Sequence, residues 1–203
     1  MQNYFHFDVE HPLSKNIISK VPSQELPVTI GAGEAVYNLN SILPHDIVIK
    51  RIFEVTENAH CRFDAVSREY KYFIYRHKDP FLEDRAYYFP FKLDINKLNE
   101  AAALVLQQQD FTTFSKRNTQ VNNFICTTMK SEWIVEKDML VYNIKANRFL
   151  RGMVKGLTGT MLRVGRGIIS LNQFDKIIKS RDCTKADFSV PAHALFLVAV
   201  NYN

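Results

Sequence analysis

The residues of this chain best equipped for chemistry are basic and aromatic, and they concentrate in two stretches. The first is residues 145–167, KANRFLRGMVKGLTGTMLRVGRG. At helical spacing Phe149, Met153, Leu157 and Met161 share one face, widened by Leu150 and Val154. Arg148, Arg151, Lys155 and Arg163 fall mostly on the other side, interleaved with Gly152, Gly156 and Gly159. Asn147 stands where an N-cap belongs and Gly165 where a stop belongs. A glycine inside a helix costs about 1 kcal/mol relative to alanine. Close approach by a ligand or by another backbone must offset that. The stretch therefore reads as a helix with an apolar face in a core and a bare cationic face turned to an anion. An ordinary solvated basic face is the plainer alternative. The second stretch carries Arg62, Arg68, Tyr70 and Tyr72. Arg68 and Tyr70 share a face if the segment is a strand. A tyrosine beside cations is what stacking on a nucleobase and neutralising its phosphate require. Taken alone, Tyr70 could equally be a half-buried sheet aromatic.

Other chemistries find no support. There is no P-loop, dinucleotide fingerprint, nucleophile elbow or HExxH pattern. Cys61, Cys126 and Cys183 lack metal-ligand spacing and read as reduced thiols, and the histidines are scattered, so no zinc site is expected. The net charge of +5 is unevenly spread. Residues 142–185 hold 10 Lys or Arg against 2 Asp or Glu, a net of +8, whereas residues 1–60 are net acidic. Such a block in a folded segment points to a polyanion, with nucleic acid favoured. A helix lying on an anionic membrane is disfavoured by the glycine-studded polar face and the absence of Trp from the apolar one. No apolar run approaches the roughly 20 residues needed to span a bilayer. No signal pattern opens the chain, and a cytoplasmic location is expected.

These residues need elements to position them. Residues 3–9 read as a strand, followed by a connection marked by Pro12, Pro22 and Pro27. Residues 34–43 have helical spacing and stop at Pro44, and residues 47–55 read as a β-branched strand. Residues 66–77 form a long strand, and Asp94 caps a helix to about residue 109. Residues 125–135 and 140–146 make two strands around a turn at Lys137 and Asp138. Ser170 caps a short helix carrying Phe174, Ile177 and Ile178, and residues 195–202 close the chain as a strand. Strands joined partly as hairpins and separated by helices argue an α+β fold with a mostly antiparallel sheet. Residues 1–57 are short of material for a domain of their own and read as the remainder of an N-terminal α/β domain. Residues 58–203 make a C-terminal α+β domain containing the basic helix.

The runs RFDAVSREYKYFIY (62–75), DFTTFS (110–115), ANRFLRGMVKGLTGTMLRVGRG (146–167) and HALFLVAVNY (193–202) follow in order. With LNSILPHDIVI (39–49) and HFD (6–8) upstream, they resemble the tRNA pseudouridine synthase A family over nearly the whole chain. The resemblance implies a pseudouridine synthase-like, mostly antiparallel sheet with helices packed on one face and a second domain that is incomplete here. It implies isomerisation of uridine to pseudouridine in the anticodon stem-loop of tRNA, no cofactor, and a homodimer. By the same resemblance Tyr70 stacks on the flipped base, and Leu195 matches an apolar residue packed against the uracil. Lys155 stands where the family usually has an arginine paired to its catalytic aspartate. Arg148, Arg151 and Arg163 fall in the RNA-facing cleft, and Arg62 and Arg68 join them as RNA-binding candidates. The family's aspartate sits in an R-T-D-x-G-V-H-A-like loop, and this chain has no Gly-Val pair. Asp8 and Asp64 do not occupy the nucleophile's motif position. The expectation is a sequence that begins just downstream of its active-site aspartate, or a non-catalytic RNA-binding relative. A basic protein that docks to an acidic surface is a distant third. Lys155 should then lie beside an open groove with no carboxylate in ion-pair reach.

Overall fold

The computed structural model describes residues 32–53, 55–117, 121 and 123–202. The strand expected at residues 3–9, and Asp8 with it, lie outside the described residues. The chain divides between Phe63 and Asp64 into two compact units.

In the first unit, α1 (Ala32–Ile42) ends just before Pro44, as its pattern predicts. The strand expected at residues 47–55 is not formed among the described residues. β-Branched side chains favour extended backbone, but a strand also needs a hydrogen-bonded neighbour. Here a side chain takes that role. Asn40 accepts from the Ile49 N–H at 2.7 Å and donates to the Ile49 carbonyl at 2.9 Å.

The second unit is built on β1 (Ser67–Tyr75), which lies inside a mixed, mostly antiparallel sheet of five strands. β4 (Met139–Ala146) pairs antiparallel along one side of it, from Arg68 opposite Ala146 to Ile74 opposite Leu140. β3 (Thr128–Glu136) joins β4 as a hairpin. The connecting Lys137 and Asp138 both have positive φ, at 47° and 65°, the backbone that a two-residue hairpin turn demands. On the other side of β1 lies β5 (Leu195–Asn201), with a register shift at Glu69/Tyr70. The short β2 (Tyr87–Tyr88) pairs directly with β1 too, parallel to Ile74 and Tyr75.

α2 (Ile95–Leu106), α3 (Met153–Gly165) and α4 (Leu171–Lys179) cover one face of the sheet. Alternation places Tyr72 and Ile74 of β1, Tyr142 and Ile144 of β4, and Trp133 of β3 on that face. They join Leu98, Val105, Leu157, Met161, Phe174 and Ile178 in one buried cluster. Asp94 and Ser170 cap α2 and α4 as expected, Ser170 in a reciprocal capping box with Gln173. Strand β3 is an edge, and Asn99 of α2 blunts it. Its amide accepts from the Trp133 N–H at 2.9 Å and donates to the Trp133 carbonyl at 3.0 Å.

α3 corrects two expectations. It begins at Met153, behind a left-handed Gly152 (φ 83°), and Asn147 does not cap it. Asn147 instead accepts from the Thr127 N–H at 2.8 Å. The helix does end on Gly165, as expected, but Arg166 is the C-cap and Gly167 takes the positive φ that follows. The glycines do not form a bare face for a ligand either. A Cβ on Gly159 would stand 2.3 Å from the Asp187 carbonyl oxygen, and one on Gly156 would stand 2.7 Å from the Phe188 ring. Close approach by another segment of this chain is what keeps them glycine. The helix is buried on nearly every side, and the cations reach the surface from its two ends and from a few half-buried positions.

Candidate nucleic-acid interface

β1 enters the site through Arg68 and Tyr70. The Arg68 guanidinium donates to the Asn147 carbonyl at 3.2 Å and to that of Ala65 at 3.5 Å. This ties the strand to the loop of residues 147–152 that leads into α3. Two residues on, the Tyr70 ring meets Phe149 of that loop edge-on, with centroids 4.9 Å apart. Tyr70 is half-buried, and burial pushes its phenol pKa up against the opposing charge of Arg68. Among the described residues nothing hydrogen-bonds its hydroxyl. Leu195 lies opposite Tyr72 and Leu197 opposite Tyr70, so both leucines share Tyr70's face. Tyr70, Phe149 and Leu195 form a partly buried rim on the core.

Cations gather around the same loop. Arg148 donates to the Asn123 side chain at 3.0 Å, while Arg151 is exposed and its carbonyl accepts from the Lys116 N–H at 2.9 Å. Lys155, in the first turn of α3, is half-buried. Burial, and then the charge of Lys116, hold its ammonium pKa below the ordinary lysine value. Among the described residues no carboxylate forms an ion pair with it. Arg163 sits in the last turn of α3, about 12 Å further along the axis at 1.5 Å per residue. Arg62 belongs to the other unit, with its guanidinium 5.5 Å above the Phe63 ring centroid. Arg68, Tyr70, Arg148, Arg151 and, through Lys116, Lys155 are thus brought to one loop. Arg163 stands at the far end of the helix.

Two members escaped sequence reasoning. Phe149 reads as core because it continues the apolar period of α3, yet it lies before the helix and props Tyr70. Lys116 follows DFTTFS in a basic pair with Arg117, a signal that could have been noticed. Its stem lies over Gly152, with Cγ 3.0 Å from where a Cβ would stand. Cys126 is chemically quiet: burial pushes its thiol up to about 11 despite the nearby Arg148. Among the described residues no cluster of His, Cys, Asp or Glu could hold a metal. No described helix is long and apolar enough to cross a membrane. The site is an aromatic ledge flanked by cations, one of them half-buried and without an ion-pair partner among the described residues.

The family described as tRNA pseudouridine synthase matches residues 101–203. The chain is similar to tRNA pseudouridine synthase A of Parabacteroides distasonis, 45% identical over 164 residues, covering 81% of this chain and 65% of that protein. It is 38% identical over 197 residues to the protein of the same name from Azobacteroides pseudotrichonymphae, covering 97% of this chain and 72% of that protein. The Bacillus subtilis protein of that name is 34% identical over 181 residues, covering 88% and 73%. The chain therefore spans about two-thirds to three-quarters of the length of these relatives. The α+β fold, the motifs along it and these similarities lead to one conclusion: the chain belongs to the tRNA pseudouridine synthase family.

Proposed function

We propose that this chain holds the substrate in a tRNA pseudouridine synthase, which isomerises uridine to pseudouridine in the anticodon stem-loop. The observation that carries this is the Tyr70–Phe149 ledge beside the cations of the 147–152 loop. On this reading the flipped uracil stacks on Tyr70 and packs against Leu195. Arg62, Arg68, Arg148, Arg151 and Arg163 take phosphates. The reaction breaks the C1′–N1 bond, turns the base, joins C1′ to C5, releases the C5 proton and returns a proton to N1. Atoms and oxidation state are conserved, so no cofactor is called for. A carboxylate nucleophile set against Lys155 would be kept ionised by that cation, and the pair would relieve a lysine whose pKa burial and Lys116 hold low. No R-T-D-x-G-V-H-A-like loop occurs in these 203 residues, so they are catalytically incomplete alone and the nucleophile comes from outside them. Residues 1–57 belong on this reading to the domain that supplies it, and the enzyme works as a homodimer.

The absence of a described carboxylate at Lys155 also favours a second reading, a tRNA-binding relative that keeps the cleft without the chemistry. tRNA affinity tests what the two share. Base stacking on an aromatic is worth about 1–3 kcal/mol. Tyr70→Phe should keep most binding and Tyr70→Ala should lose about 5- to 150-fold with the fold intact. If Tyr70→Ala unfolds the protein instead, the ring is core and not a platform.

A further inference from the structure

A concavity of about 220 Å³ opens next to the 147–152 loop, lined by Thr112, Ser115, Lys116, Arg117, Phe124 and Arg181. Its walls are firmly held. Phe111, Thr113 and Phe114 are fully buried, and the Thr113 hydroxyl donates to the Ile177 and Ile178 carbonyls at the end of α4. Asp110 accepts from the Thr112 N–H at 2.9 Å and hydroxyl at 2.6 Å, and from Arg181 Nε at 2.8 Å. Burial alone would raise the Asp110 pKa, but the Thr112 bonds and the Arg181 charge outweigh it and hold the carboxyl low.

Three features of this place exceed what folding requires. Arg181 sits at φ 54°, in the left-handed region just after α4, where glycine or asparagine is the usual occupant. Ser115 is only 4% exposed, and among the described residues its hydroxyl makes nothing better than a 3.4 Å bond to the Lys116 carbonyl. Lys116 and Arg117 are exposed and form no ion pair among the described residues. Of the acidic groups here, Asp110 already holds Arg181 at 2.8 Å, while Asp182, which feels the charge of Arg117, is engaged by the Thr184 N–H at 3.0 Å and hydroxyl at 2.7 Å. Two exposed cations, Arg181 held in place by Asp110, a buried hydroxyl short of described partners and an aromatic wall at Phe124 suit a singly charged oxyanion.

We propose that this concavity binds a phosphodiester group of the RNA backbone, outside the site at Tyr70. The proposal rests on the RNA-binding reading above and extends it. Lys116 joins the two places: its N–H is bonded to Arg151, its stem covers Gly152, and its charge acts on Lys155. A strand crossing the cations of the 147–152 loop would meet Lys116 next and then the pocket.

The test is the salt dependence of tRNA affinity. Each RNA phosphate that a variant fails to neutralise reduces the slope of log K against log[salt] by about 0.7–0.9. Lys116→Gln with Arg117→Gln should lower it by about 1.4–1.8, and Arg181→Gly by about 0.7–0.9. Glycine relieves the left-handed backbone at position 181, which offsets the loss of the largely exposed ion pair with Asp110, so Arg181→Gly should leave the melting temperature level while weakening RNA binding. A purely structural arginine predicts the reverse. Arg148→Ala with Arg151→Ala serves as the comparison. If that pair lowers the slope and the pocket variants do not, the pocket proposal fails and the RNA reading stands. Unchanged slopes throughout defeat both. Inorganic phosphate measured by equilibrium dialysis distinguishes the source. Phosphate binding that the pocket variants abolish, with an unchanged tRNA slope, would make this a small-anion site and overturn the proposal.

Discussion

Gly159→Ala tests how α3 is seated. The substitution improves intrinsic helix propensity by about 1 kcal/mol, so a helix packed loosely here would be stabilised. The structure says otherwise. The new methyl would stand 2.3 Å from the Asp187 carbonyl oxygen, and ordinary contact begins near 3.4 Å. The chain at Asp187 would have to retreat by about 1 Å, the order of shift that overpacking forces at a cost of about 1–3 kcal/mol. That movement would stretch the Asp187 N–H···Thr160 hydroxyl bond, now 3.0 Å, beyond useful length. Its loss costs about 0.5–1.5 kcal/mol more. Against the gain in propensity, the net is a destabilisation of about 2 kcal/mol. For a chain of this size that lowers the melting temperature by roughly 4–8 °C. Urea denaturation followed by circular dichroism gives the free energy, and calorimetry the temperature. A Gly159→Ala variant as stable as the parent, or more so, would show that the segment at 187–188 does not press on α3.

Other outcomes follow from the same packing. Asn99→Ala should cost about 1–3 kcal/mol, because it frees two backbone groups on the edge strand β3, and should raise aggregation measured by light scattering. The contribution of Asp110, whose folded pKa is lowered, is present above the ordinary value of 3.8 and is lost as pH falls through the folded one. The stability gap between the parent and Asp110→Asn should therefore close over that acid range in denaturant titrations. Lys155 has a folded pKa below 10.5, and an anion beside it should raise that value. Binding of tRNA in the alkaline range below 10.5 should then take up protons, seen by calorimetry in buffers of different ionisation heat, and Lys155→Met should reduce the uptake.

Features set by neighbours in sequence were legible before the structure. The caps Asp94 and Ser170, the turn at Lys137 and Asp138, and the pairing of Arg68 with Tyr70 on one strand face all follow from local chemistry. The misreadings share a cause. The apolar period of α3 runs back through Phe149 and Leu150 because the preceding loop also buries them, so periodicity alone put the helix start too early. The glycines of α3 answer to Asp187 and Phe188, some thirty residues away, which no local pattern reveals. Residues 47–53 have strand composition but lack a strand to pair with among the described residues. At the site, Tyr70 and the basic run were visible. Lys116 was not, because its place depends on a backbone bond to Arg151 across the fold.

The most direct test is release of tritium from tRNA labelled at uridine C5, since forming the C1′–C5 bond expels that hydrogen. The 203 residues alone should bind the tRNA and release none. Joined to a segment carrying an R-T-D-x-G-V-H-A-like loop, they should release tritium, and Tyr70→Ala in the joined protein should abolish it. Release by the 203 residues alone would overturn the proposal that the nucleophile comes from outside them. No release from the joined protein, with tRNA still bound, would leave a cleft that holds RNA without transforming it.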